Sequence, residues 1–74
     1  MYLDSLRTGD KARILEFVAV NDMLKRRLID MGIKEGSEIC MKSCMPFGGP
    51  CMITANDQCV SIRRKEAHGI KVES

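Results

Sequence analysis

Apolar residues recur along this chain at two different spacings, and the switches between them divide it into elements. From Lys11 to Val20 the chain is rich in Ile, Phe and Val, which predicts a strand. That stretch is apolar on both faces, with Ile14, Val18 and Val20 set against Leu15, Phe17 and Ala19. Such a pattern suits a curved strand in a small closed barrel better than a flat, half-wetted sheet; a buried helix is the competing reading. The period then changes. Leu24, Leu28 and Met31 fall at i, i+4 and i+7, one stripe of a helix predicted over Asp22–Met31, with Lys25, Arg26 and Asp30 turned away. Asn21 or Asp22 can cap its start by accepting from a free backbone N–H. Gly32 sits where helices commonly end in a left-handed residue, and Gly36 permits a tight turn into the next strand.

Beyond Gly36 the period returns to two. Over Glu38–Lys42, Ile39 and Met41 share one face and Glu38, Cys40 and Lys42 the other. Ser43–Pro50 holds Pro46, Gly48, Gly49 and Pro50, a dense run of breakers that predicts a loop. Cys51–Ala55 and Gln58–Ile62 read as two strands joined by a tight Asn56-Asp57 turn. Arg63–His68 fits one helical turn ended by Gly69, and Ile70–Glu73 a last strand. At the start, Leu3–Gly9 reads as an opening turn with Leu6 its buried anchor, and Thr8-Gly9-Asp10 as turn chemistry before the first strand. About five short strands with one inserted helix and a short C-terminal helical turn define a mainly β chain, a small SH3-like barrel.

Composition narrows the class. Seventy-four residues make one domain, residues 1–74, with no room for two cores. At 45% hydrophobic and 30% charged the chain is that of an ordinary globular protein. Its aromatics are only Tyr2, Phe17 and Phe47, so the core is aliphatic, with six methionines as adaptable filler. Met23 and Met31 are expected in helix packing and Met41 in the strand core. A net charge of +2 does not by itself imply nucleic acid or an anionic membrane. The longest apolar run, Phe17–Val20, falls far short of the roughly 20 residues that span a bilayer. MYLDSLRTGD has neither the basic start nor the apolar stretch of a secretory signal, so a cytoplasmic location without membrane insertion is expected. There Cys40, Cys44, Cys51 and Cys59 are expected to be mainly reduced thiols.

Several short motifs follow one another in a telling order. Leu6-Arg7-Thr8-Gly9-Asp10 gives L-x-x-G-D; Arg27, Leu28, Met31, Gly32 and Gly36 give R-L-x-x-M-G-x-x-x-G. Pro46, Gly48 and Pro50 give P-x-G-x-P, and Ile62-Arg63 with Ala67 precedes Ile70-Lys71-Val72. Together, from Leu3 to Val72, these resemble the FeoA family, small partners of the bacterial ferrous-iron permease FeoB. The resemblance implies an SH3-like barrel with an inserted helix and no enzymatic activity. It also implies an accessory, regulatory role in ferrous-iron uptake through contact with the cytosolic GTP-binding region of FeoB. A similar module closes iron- and manganese-dependent repressors of the diphtheria-toxin-repressor type, so fold alone does not settle function. The helix-turn-helix and dimerisation segments of those repressors are absent from this sequence, which favours the transport accessory.

The residues themselves offer little chemistry. No cofactor is required by any motif. Zinc knuckles pair cysteines as C-x(2–4)-C around a tight turn, and only Cys40-x3-Cys44 approaches that spacing, across a strand end. Cys44 and Cys51 flank the glycine-proline loop, so their sulfurs can meet across its base, either to bind a soft transition metal or to oxidise. Cys40 and Cys59 read as small buried or half-buried strand residues. Met45 and Met52, beside Cys44 and Cys51, form the one patch with the sulfur density of a copper site. His68 is the single histidine, in a charged turn typical of a surface, and ferrous iron's preferred imidazole–carboxylate cluster is missing. One histidine also leaves an acid–base or nucleophilic mechanism few options. Basic runs Lys25-Arg26-Arg27 and Arg63-Arg64-Lys65 are solvated faces or steering charge for a protein partner. The surface lacks the interleaved aromatics of nucleic-acid binders. Arg26, Phe47 and Arg64 are the expected partner contacts. A sulfur-ligated metal protein using Cys44 and Cys51, and a nucleic-acid- or repressor-associated SH3-like module, are the alternatives.

Overall fold

Alternation in the sequence becomes alternation in burial. The computed structural model describes all 74 residues. A 3₁₀ turn (Leu3–Ser5) leads to strand β1 (Lys11–Phe17), helix α1 (Asp22–Asp30) and strands β2 (Glu38–Cys44), β3 (Cys51–Ala55) and β4 (Gln58–Ile62). A short helix α2 (Arg64–Ala67) and strand β5 (Ile70–Glu73) complete the chain. All five strands join one antiparallel sheet in the order β4-β3-β2-β1-β5, the mainly β, SH3-like barrel expected. Register shifts between Ile14 and Glu16 in β1 and between Met41 and Ser43 in β2 supply the bends that curl so small a sheet. Its inner face carries a single aliphatic core that includes Leu3, Ile14, Ile39, Met41, Ile53, Ile62, Ile70 and Val72. Leu28 brings α1 onto that core at 0% exposure. No helix is long and apolar enough to cross a membrane.

Helix α1 begins and ends as its sequence dictates. Asn21 is the cap, its Oδ1 accepting the Met23 amide at 2.7 Å. At the other end Gly32 has φ +82°, the Ile33 amide donates to the Leu28 carbonyl at 2.8 Å and the Gly32 amide to Ile29 at 2.9 Å. This paired arrangement closes a helix and carries an apolar contact between the residues it joins. Here those residues are Leu28 and Ile33, both fully buried. In the hairpin between β3 and β4, Asn56 and Asp57 have φ of +53° and +62°, the mirror-image turn whose twist matches the flanking strands. Asn56 Nδ2 also donates to the Gly32 carbonyl at 3.2 Å, tying hairpin to helix end.

Five expectations need correction. Strand β1 stops at Phe17 instead of Val20, because the amides of Val18 and Ala19 turn to donate to the Gly69 carbonyl at 2.7 and 3.0 Å. Gly69 allows this approach: a Cβ there would lie 2.7 Å from the Ala19 carbonyl carbon. Ser43 and Cys44 belong to β2 and not to the loop, and Met31 caps α1 instead of extending it. Met23 is 82% exposed and packs nothing, while Met31 is only half-buried. Cys59 is exposed; Cys40 is half-buried as expected.

The two ends of the chain lie together on β5. The Val72 amide donates to the Met1 carbonyl at 2.9 Å, and Tyr2 forms an isolated antiparallel bridge with Lys71. That pairing covers backbone on the free side of a sheet-edge strand.

Candidate interaction surface

Between β2 and β3 the loop Met45–Pro50 is held from three sides. Cys44 and Cys51 are direct cross-strand partners with Cα atoms 4.0 Å apart, and a disulfide joins them at the base of the loop. The Met45 amide donates to the Pro50 carbonyl at 3.0 Å, which makes the cysteine pair before it a non-hydrogen-bonded one, the register in which side chains approach closest. From outside, a guanidinium nitrogen of Arg64 donates to the Met45 carbonyl at 2.7 Å. Gly49 fits because a Cβ there would fall 2.6 Å from Cβ of Met45.

The product is a fixed turn with Phe47 at its tip, fully exposed (103%) and at φ +59°. A bulky residue in the left-handed region is an outlier that persists only when its surroundings impose it, and such outliers gather at contact sites. Arg64, expected as an exposed contact, is instead half-buried; it anchors the loop that displays Phe47, and its Nε is buried without an acceptor.

The disulfide corrects the expectation of four reduced thiols. The sulfurs of Cys44 and Cys51 do meet across the loop base, but bonded to each other they are no longer the thiolates a metal requires. Cys40 and Cys59 are the remaining thiols. They flank Thr54 in one cross-strand row, on strands separated by a third, so they do not converge on one ion. Nowhere do three His, Cys, Asp or Glu side chains gather as a metal site. His68 stacks on Tyr2 with ring centroids 5.7 Å apart, and its Nδ1 lies 3.0 Å from Asp4 Oδ2. It is a latch between the N-terminal segment and α2.

What the fold brings together is charge. One open concavity runs between α1 and β4, lined by Met23, Leu24, Arg27, Ser61, Arg63 and their neighbours. A second runs beneath the loop and is lined by Gly48, Pro50, Ser61, Arg63, Arg64 and Lys65, with Asp4 and His68 at its end. Ser61 and Arg63 line both, so the two form one cleft into which basic residues about 36 positions apart in sequence converge. Arg27 stands in it, whereas Arg26 faces the neighbouring side of α1 beside Asp22 and Asp30. Glu66, which reads in sequence as one more surface charge, is only 9% exposed. Its carboxylate accepts the Asn21 amide at 3.0 Å, fixing α2 against the start of α1 and setting the cleft's width. Lys25 lies over Phe17, 5.9 Å from the ring centroid, outside the cleft.

A small SH3-like barrel that displays a braced aromatic tip beside a basic cleft has the build of a binding module. The FeoA domain family matches residues 1–74, and the chain belongs to that family. It is 36% identical over 73 residues to the Fe(2+) transport protein A/Fe(2+) transporter FeoB fusion protein of Porphyromonas gingivalis. That match covers 99% of this chain but only 8% of the fusion protein's length. The FeoA protein of Chlorobium tepidum superposes with a TM-score of 0.89 at 33% identity, over 99% of this chain and 69% of its own. Stenotrophomonas maltophilia FeoA, solved as a zinc complex and described as a procaryotic SH3 domain protein, gives a TM-score of 0.76 at 26% identity, over 99% of this chain and 89% of its own.

Proposed function

We propose that this domain is a non-enzymatic, cytoplasmic accessory of bacterial ferrous-iron uptake that binds the cytosolic GTP-binding region of a FeoB permease. The observation that carries the reading is the fusion relative, in which a domain 36% identical to this one shares a polypeptide with FeoB. Tethering by a short flexible linker supplies an effective concentration of about millimolar, so fusion favours an interaction that is weak and reversible between separate chains. The geometry is compatible, since the domain offers exposed side chains on a braced frame. A bound module changes its partner only through a difference in affinity between the partner's states. Regulation here therefore means that the GTP- and GDP-bound forms of the permease bind the domain unequally, which shifts their populations.

An amide NMR titration with the soluble GTP-binding region of the cognate permease, in both nucleotide states, tests this. Shifts confined to α1, α2 and the Met45–Pro50 loop, and different in the two states, are expected. Absence of shifts at near-millimolar partner would refute the reading.

A further inference from the structure

We propose that the cleft between α1 and the Met45–Pro50 loop receives an acidic segment of the partner that carries apolar side chains toward both of its ends. The proposal deepens the permease-binding reading and rests on it. Met23, 82% exposed, lines the cleft on the helix side, and Phe47, fully exposed, immediately precedes Gly48, which lines it on the loop side. Neither contributes to the core, so both are free to be covered by a partner. Between them stand Arg27, Arg63, Arg64 and Lys65.

The carboxylates nearby only partly offset this charge. Glu66, which accepts the Asn21 amide, and Asp4, which meets His68, keep their negative charge, but the four basic residues outnumber them. The field along the cleft is positive between two apolar ends, and its complement is negative between two apolar side chains. Aromatic or methionine anchors seated in apolar pockets carry affinity, while the charges steer and set the register. The braced loop strengthens the case, because a preorganised anchor loses little conformational freedom on binding. A nucleic acid would match the charge but would leave Met23 unused and offer Phe47 a single base. A bilayer is planar and would not reach into the floor of the cleft.

The test is affinity for the soluble GTP-binding region, measured by calorimetry for the wild type and for Phe47→Asn, Met23→Ser, Arg63→Glu and Val18→Ser. Asparagine tolerates the left-handed region better than phenylalanine, and Met23 is outside the core, so these variants keep the fold. Each of the first three is expected to weaken binding tenfold or more. Val18→Ser, exposed but outside the cleft, stays within twofold. If the wild type binds and the cleft variants bind equally well, the cleft assignment is overturned and the permease reading stands. If the wild type does not bind, the permease reading fails. The cleft is then judged by NMR titration with a six-glutamate peptide flanked by leucines. Shifts at Met23, Arg63 and Gly48 that Phe47→Asn abolishes uphold the cleft, and none overturns it. Tighter binding to single-stranded RNA or to phosphatidylglycerol vesicles, with the same residue dependence, also overturns it.

Discussion

Leu28 and Met31 occupy the same helical stripe, yet the structure separates their contributions to stability. Leu28 is fully buried and meets Ile33 across the helix end, whereas Met31 is half-buried at the cap. Leu28→Ala removes three buried carbons, about 2.4 kcal/mol at ~0.8 kcal/mol per carbon. The residual cavity adds to this, and buried Leu→Ala losses run from about 2.7 to 5.0 kcal/mol. We expect about 3 kcal/mol for Leu28→Ala. Met31→Ala, with roughly half the burial and a solvent path into the gap, should lose about 1 kcal/mol. A chain of 74 residues has a total stability of only about 4–11 kcal/mol, and for this size 1 kcal/mol moves the midpoint by about 4–8 °C. Leu28→Ala should therefore lower Tm by at least about 12 °C and Met31→Ala by well under 10 °C, read by circular dichroism with the disulfide intact. Met23→Ala should change nothing. Equal losses at 28 and 31, or a substantial loss at 23, would refute the docking of α1 described above.

Two further outcomes follow from the backbone and the bridge. Gly69→Ala forces a Cβ against the Ala19 carbonyl, a backbone clash that should lose about 1–3 kcal/mol or more. Gly36→Ala, at φ +91° but with open space around it, should lose only about 1 kcal/mol, and thermal melts giving the reverse order would contradict the close approach of Ala19 to Gly69. Reducing Cys44–Cys51 opens a loop of sequence separation 7, which in the chain-entropy description costs about 2.5 kcal/mol. The free-thiol count, read in denaturant, should rise from two to four as Tm falls, and an unchanged Tm at four thiols would deny the bridge its role in bracing the loop.

Much of the fold was legible because its signals are local. β3, β4 and β5 run over the residues the alternation marks, and Asn56-Asp57 makes the turn its residue types favour. Asn21 caps and Gly32 terminates, each for a reason confined to a few residues. Met23 could have been placed correctly: at 3.6 residues per turn it sits about 100° from Leu24, off the buried stripe. Ile33 escaped notice because its burial comes from the helix-ending motif and not from helical or strand periodicity. The candidate site was less legible. Glu66 sits in a run of charges, and only the fold shows that it meets Asn21, 45 residues earlier. Arg64 has the sequence signature of a surface arginine, but its role depends on where the Met45 carbonyl arrives. The cleft is assembled by Arg27 and Arg63, far apart in sequence, and no linear pattern encodes that meeting. The family motifs named the module but not the face it presents.

The hydrogen bond from Val72 to Met1 has an architectural consequence. Because the polypeptide arrives and departs at one place on the edge of the sheet, the barrel behaves as a plug-in cassette. A longer protein can carry it on either flank, or accept it within a surface turn, without stretching any strand. The same adjacency allows the existing ends to be spliced through a short glycine bridge and the chain reopened at Asn56-Asp57. Such a permutant would retain the braced aromatic tip, whose three supports all lie outside the cut.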